Sequence, residues 1–274
     1  MRTRLPLLFL LSAVLLPVPG FFPSAHAVEF EPKVYLEDMT WMDVRDRLNQ
    51  GTTTIIVPTG GTEQNGPGLA IGKHNFVVAY TAAEIARKLG NALVAPVLAY
   101  VPEGRISPPE GHMRFPGTIS VAESTFAAVL EDTARSMKEH GFHLICFVGD
   151  HGGSQQPQER VADKLNEEWH GQGARVLSVS DYYGENGQEA WLKERGLDVK
   201  NPSAHGGFLD ASELLAVRPG VVKKEQLGAF TEAHYPTTGA AGDASKASAD
   251  YGKKLLALKV NAAVDQIRKA EQRR

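Results

Sequence analysis

Two periodicities alternate along this chain. Short apolar runs rich in β-branched residues occur at "TTIIVPT" (53–59), "ALVAPVLAY" (92–100), "HLICFVG" (143–149) and "ARVLSVS" (174–180). Runs of that length and composition predict strands buried on both faces. Between them the apolar positions recur at helical spacing. Val78, Ala82, Ile85, Ala86 and Leu89 share one face of a helix predicted over 75–89, as Phe126, Leu130 and Met137 do over 121–140. Ser120 and Glu123 have the spacing of a capping box at the start of the second helix, and Gly141 stands where it would stop. Further helices are predicted over 155–170, 208–217 and 245–270. Strand–helix alternation of this kind predicts an α/β fold with a mostly parallel sheet covered by helices.

The first residues follow a different pattern. "MRTR" is basic, "LPLLFLLSAVLLPV" is apolar, and "SAHA" ends in Ala25-x-Ala27. This is the three-part form of a secretory signal cleaved after Ala27, which predicts a periplasmic or secreted protein. The apolar run is broken by prolines and falls short of the roughly 20 residues that span a bilayer. The remainder, 28–274, is expected to be a single domain with no membrane attachment. Cys146 is the only cysteine, so no internal disulfide can form, and its place in "LICFV" predicts a small buried side chain.

Charge narrows the partners. Lysine and arginine number 29 against 32 acids, a formal net charge of −3, and no basic patch or basic helix stands out. Nucleic acid is therefore not an expected partner, whereas a small molecule is.

Ligands of open parallel sheets bind beyond the carboxyl ends of the strands. After the first strand comes "GGTEQNGPGLAIGKHNF" (60–76), with Glu63, Asn65 and His74. After the third comes "GDHGGS", with Asp150 and His151, and further on "SAHGGFLDASELLAVRP" carries His205 and Asp210. Carboxylates and imidazoles converging from separate loops suit Zn, Mn or Fe. Each residue alone also fits a solvated turn or a helix cap. His112, in "GHMRFPGT", reads either as a neighbour of the site or as structural, and His140, His143, His170 and His234 as surface residues. The proline- and glycine-rich stretch 103–118 either shapes a pocket or makes a rigid surface connection. A phosphate-binding loop is excluded, because Gly66 is followed by Pro67 and Gly68 where a lysine and Ser/Thr are needed, and no G-x-S-x-G elbow is present.

Taken in order, these motifs resemble the creatininase (creatinine amidohydrolase) family. "PTGGTEQNGPGLAIGKH" (58–74) is similar to its "P-x-G-S-x-E-Q-H-G-P-H-L-P-x-x-T-D" segment, "FPGTIS" (115–120) matches the same words, and "GDHGGS" resembles "NGHGGN". "HGGFLDAS" (205–212) and "GAAGDASKASADYG" (239–252) continue the likeness. The resemblance implies a three-layer α/β/α fold, a homo-oligomer such as a hexamer, and metal-dependent hydrolysis of a C–N bond in a small cyclic amide or formamide-like substrate. It carries Glu63 and His151 over as metal ligands, Asp210 as a shorter carboxylate in place of a glutamate, and His205 as the proton-transfer residue. Asn65 replaces a ligand histidine, Gly68 replaces a second histidine, and His74 replaces an aspartate that bridges two ions. A neutral imidazole cannot bridge as a carboxylate does, so the expectation is one divalent ion per chain held by Glu63, His74, His151 and Asp210. A non-hydrolytic binding protein and a metal-dependent lyase or isomerase are the competing readings.

Overall fold

The computed structural model describes residues 33–197 and 201–272. The proposed signal, residues 1–27, lies outside the described residues. Strand β1 is Thr54–Thr59, β2 Ala92–Val94, β3 Leu144–Gly149 and β4 Arg175–Ser178. All pairings are parallel, in the order β2-β1-β3-β4. The helices are α1 Trp41–Asn49, α2 Lys73–Leu89, α3 Glu123–Glu139, α4 Gly152–Glu168, α5 Ser180–Tyr183, α6 Gln188–Glu194, α7 Phe208–Val217, α8 Tyr235–Thr238 and α9 Ala249–Glu271.

Both faces of the sheet are buried because side chains alternate along each strand. Ile56, Val94, Cys146 and Val148 pack with α2 and α9 on one side. Ile55, Val57, Ile145, Phe147 and Val176 pack with α3 and α4 on the other, where α1 adds Val44 and Leu48. The three-layer α/β/α architecture is thus present. Cys146 is fully buried, which pushes its thiol pKa up. Among the described residues no helix is long and apolar enough to cross a membrane.

The second strand is shorter than its apolar run, since Pro96 has no N–H for a sheet ladder. Pairing resumes only as an isolated bridge between Thr59 and Leu98. The capping box expected at Ser120 does not form. Helix α3 starts at Glu123 behind Ala122, which makes no side-chain cap. The Ser120 hydroxyl instead accepts from Glu103 N at 2.9 Å and donates to Gly104 O at 2.8 Å. Gly141 does follow the helix in a left-handed conformation, φ 98°.

Helix α9 crosses α7 at very close range. A Cβ on Gly252 would lie 1.9 Å from the Ser212 carbonyl oxygen, so only glycine permits this approach. The crossing brings the middle of α9, with Lys259, towards the carboxyl ends of the strands.

Candidate metal centre

Beyond β1 the chain folds back on itself. Glu63 N donates to Ile71 O at 3.0 Å, and Asn75 Oδ1 accepts from Gly61 N at 3.0 Å, which turns the Glu63 side chain fully inward. The next contributor is the loop after β2, which carries Glu103, 2% exposed. Two glycine contacts set its position. A Cβ on Gly153 would meet Pro102 O at 2.5 Å, and one on Gly61 would meet Glu103 Oε1 at 2.6 Å. A third contact closes a neck, because Gly104 backs onto Glu110 O, where a Cβ would stand 2.3 Å away. The short helical turn Gly111–Arg114 follows and presents His112. His151 caps α4, its Nδ1 accepting from Gly153 N at 3.2 Å.

These elements converge. One potential ligand atom from each of Glu63, Glu103, His112 and His151 lies within 4.8 Å of the other three. His112 Nε2 is 3.0 Å from Glu63 Oε2, and His151 Nε2 stands 3.3 Å from that oxygen and 3.1 Å from Glu103 Oε2. Even so, Glu63 Oε2 and both Glu103 oxygens are buried without a well-aligned hydrogen-bond donor. Buried carboxylate oxygens left in that state are costly, and a cation would satisfy them.

The electrostatics agree with that reading. Burial, and then the neighbouring Glu63, push the Glu103 carboxyl up to about 10. Burial also raises Glu63, but the adjacent imidazoles of His151 and His74 outweigh it and hold that carboxyl well below its usual range. His112 is lowered to about 4 and His151 is lowered too, in each case chiefly by burial, so both imidazoles are neutral donors for a metal.

Around the cluster lies a ring of ionic contacts. His74 sits between two acids, with Nε2 2.9 Å from Glu63 Oε1 and Nδ1 2.9 Å from Asp150 Oδ2. Asp150 Oδ1 accepts from Tyr182 OH at 2.7 Å and from Lys259 Nζ at 2.9 Å. Lys259 also reaches Glu213 Oε2 at 3.1 Å, and Gln188 Nε2 donates to Glu213 Oε1 at 2.6 Å. Asp210 Oδ1 accepts from Lys73 Nζ at 2.6 Å and its Oδ2 from Gly206 N at 2.9 Å. His205 Nε2 is 2.8 Å from Gln64 O, while Nδ1 faces Glu63 Oε1 at 3.8 Å. The charged side chains and imidazoles among these groups border one cavity of about 730 Å³.

The structure therefore brings Glu63 and His151 together as ligand candidates. It places His74 with both ring nitrogens engaged by carboxylates, and Asp210 in an ion pair. Asn65 lies outside the cluster, its Nδ2 donating to Glu63 O at 3.0 Å. His112 belongs to the cluster itself, and His140, His143, His170 and His234 are exposed as expected. Glu103 and the buried lysines were not anticipated. Glu103 lies in a proline- and glycine-rich loop whose composition gives no depth. Lys259 does leave a signal, sharing a helical face with Leu255, Leu256 and Ala263.

Comparison with known proteins adds relatives to this geometry. The creatinine amidohydrolase family model matches residues 37–267. The mycofactocin precursor peptide peptidase of Mycolicibacterium smegmatis is 25% identical over 243 residues, covering 81% of this chain and 87% of its own. The creatinine amidohydrolase of Pseudomonas putida is 23% identical over 256 residues, covering 86% and 96%. Two solved creatininases, one with manganese and a variant of zinc–zinc type, each superpose with a TM-score of 0.71. The first is 24% identical and the second 23%, covering 87% and 88% of this chain and 98% and 99% of theirs. At that identity they share the fold.

Proposed function

This chain belongs to the creatininase family, and from that premise we propose that it is a metal-dependent hydrolase of a C–N bond in a small cyclic amide. The observation that carries the reading is the group of buried carboxylate oxygens on Glu63 and Glu103 that lack aligned donors while facing two neutral imidazoles. The relatives named above are an amidohydrolase and a peptidase, and related structures are described with manganese or zinc. In this chain Glu63, Glu103, His112 and His151 would hold the ion. His74 and Asp210, counted as ligands from sequence, would support the cluster from its edge.

A divalent ion bound there supplies Lewis acidity and lowers the pKa of a coordinated water to about 7. The protein's own groups do the rest. His205 donates from Nε2 to the Gln64 carbonyl, which leaves Nδ1 turned towards Glu63 and the cavity. From there it can accept a proton and return it to the departing nitrogen. Gly152 lines the cavity in the first turn of α4, where backbone amides have no helical acceptor and suit a developing oxyanion. Export with loss of residues 1–27 and assembly as a homo-oligomer complete the proposal.

The test is elemental analysis of protein purified without chelators, followed by assays on cyclic amides with added zinc or manganese. Bound metal, activity lost to a chelator and activity restored by the ion are expected. Folded protein with no affinity for either ion would refute the proposal.

A further inference from the structure

We propose that the Lys73 ammonium is a resident cation standing in place of a second metal ion, so that this centre carries one divalent ion. The inference rests on the metal-hydrolase reading and deepens it. Lys73 is the first residue of α2, borders the cavity, and is 2% exposed. Among the described residues Asp210 is its one side-chain hydrogen-bond partner, at 2.6 Å. A buried ammonium is retained only when its charge is met, and here Asp210 meets it.

The described acids of the cavity, apart from the exposed Glu189, divide into two sets. Asp150 is met by Lys259, Tyr182 and His74, Glu213 by Lys259 and Gln188, and Asp210 by Lys73 and Gly206. Only Glu63 and Glu103 keep buried oxygens without an aligned donor, and these face one another across a single cluster. Two carboxylates match the charge of one dication. A second would add two positive charges beside an ammonium, where the nearby acids Asp150, Glu213 and Asp210 already share the two ammoniums of Lys259 and Lys73. A creatininase variant of zinc–zinc type shows that this fold can hold two ions. In the present chain the lysine takes up that capacity.

The experiment counts metal. Chelator-stripped full-length protein is titrated with Zn2+ or Mn2+ by calorimetry, and the saturated protein is checked by elemental analysis. Wild type is expected to take one ion per chain. Lys73→Met frees Asp210 and is expected to take a second, weaker ion. Lys73→Gln can keep a hydrogen bond to Asp210 without the charge, folds if the methionine variant does not, and is also expected to take two. Lys73→Met with Asp210→Asn removes both charges and should return the count to one. Two tightly held ions in wild type overturn the inference and leave the hydrolase reading intact, as does a folded Lys73→Gln that saturates at one. No ion in wild type removes both.

Discussion

Lys259 Nζ lies 2.9 Å from Asp150 Oδ1, joining the middle of α9 to the residue that follows β3. Both side chains are buried, and the contact continues inward. Asp150 holds His74, and His74 holds Glu63. A residue of the outer helical layer is thereby linked through three contacts to a metal-ligand candidate.

Replacing Lys259 by methionine leaves Asp150 and Glu213 in the interior without their cation. Breaking a buried pair on one side costs about 3–5 kcal/mol. Urea denaturation should register a loss of that order. Adding Glu213→Gln should restore part of it, because one uncompensated charge is removed. Equal stability of wild type and Lys259→Met would show that the pair contributes nothing.

Metal affinity should rise with pH. In the metal-free protein the Glu103 carboxyl is pushed up to about 10, so at neutral pH it holds a proton that an incoming cation must displace. One displaced proton makes the affinity climb about tenfold per pH unit between pH 7 and 9. Calorimetry in buffers of different ionisation enthalpy would count the proton directly, and Glu103→Gln should flatten the slope. The same shift acts on folding: a carboxyl raised in the native state makes the metal-free fold lose stability as pH rises from the unfolded pKa towards 10. Thermal melts should reveal that decline, and a bound ion should reverse it.

Much of this was legible in the chain. The strands at 53–59 and 143–149 and the helices at 75–89 and 208–217 announce themselves because buried sheets and amphipathic helices impose their own periods on sequence. Glu63, His151 and His205 follow from their place after strands. Other features rest on contacts between distant segments, which no local pattern carries. Ser120 stands at capping-box spacing yet pins a loop, since the Glu103 amide and the Gly104 carbonyl compete for its hydroxyl. The partner of Asp210 is such a feature, since Lys73, 137 positions away, reaches it. So is the setting of His74, whose two nitrogens meet acids from different segments.

Substitution of His205 by alanine should separate binding from chemistry. The imidazole lies at the rim of the cluster, with Nδ1 3.8 Å from Glu63 Oε1. The metal count is expected to stay as in wild type. Loss of a positioned general acid–base lowers kcat by about 10²–10⁴. A variant that loses its metal as well would make His205 a ligand instead.

Gly252→Ala should be costly and Gly220→Ala nearly silent. The first places a methyl group 1.9 Å from the Ser212 carbonyl and must separate α7 from α9, whereas the second meets nothing within 4 Å. Overpacking of this kind costs about 1–3 kcal/mol. Chemical denaturation of the two variants side by side would check the contrast.

The neck at Gly104 and Glu110 has a practical outcome. Residues 105–109 project outward between the two sides of that closure and are exposed throughout, while Glu103 and His112 stand beneath it. The projection can be lengthened, shortened or exchanged for another peptide as a self-contained graft. The surface displayed there could then be redrawn while Glu103 and His112 keep their places below.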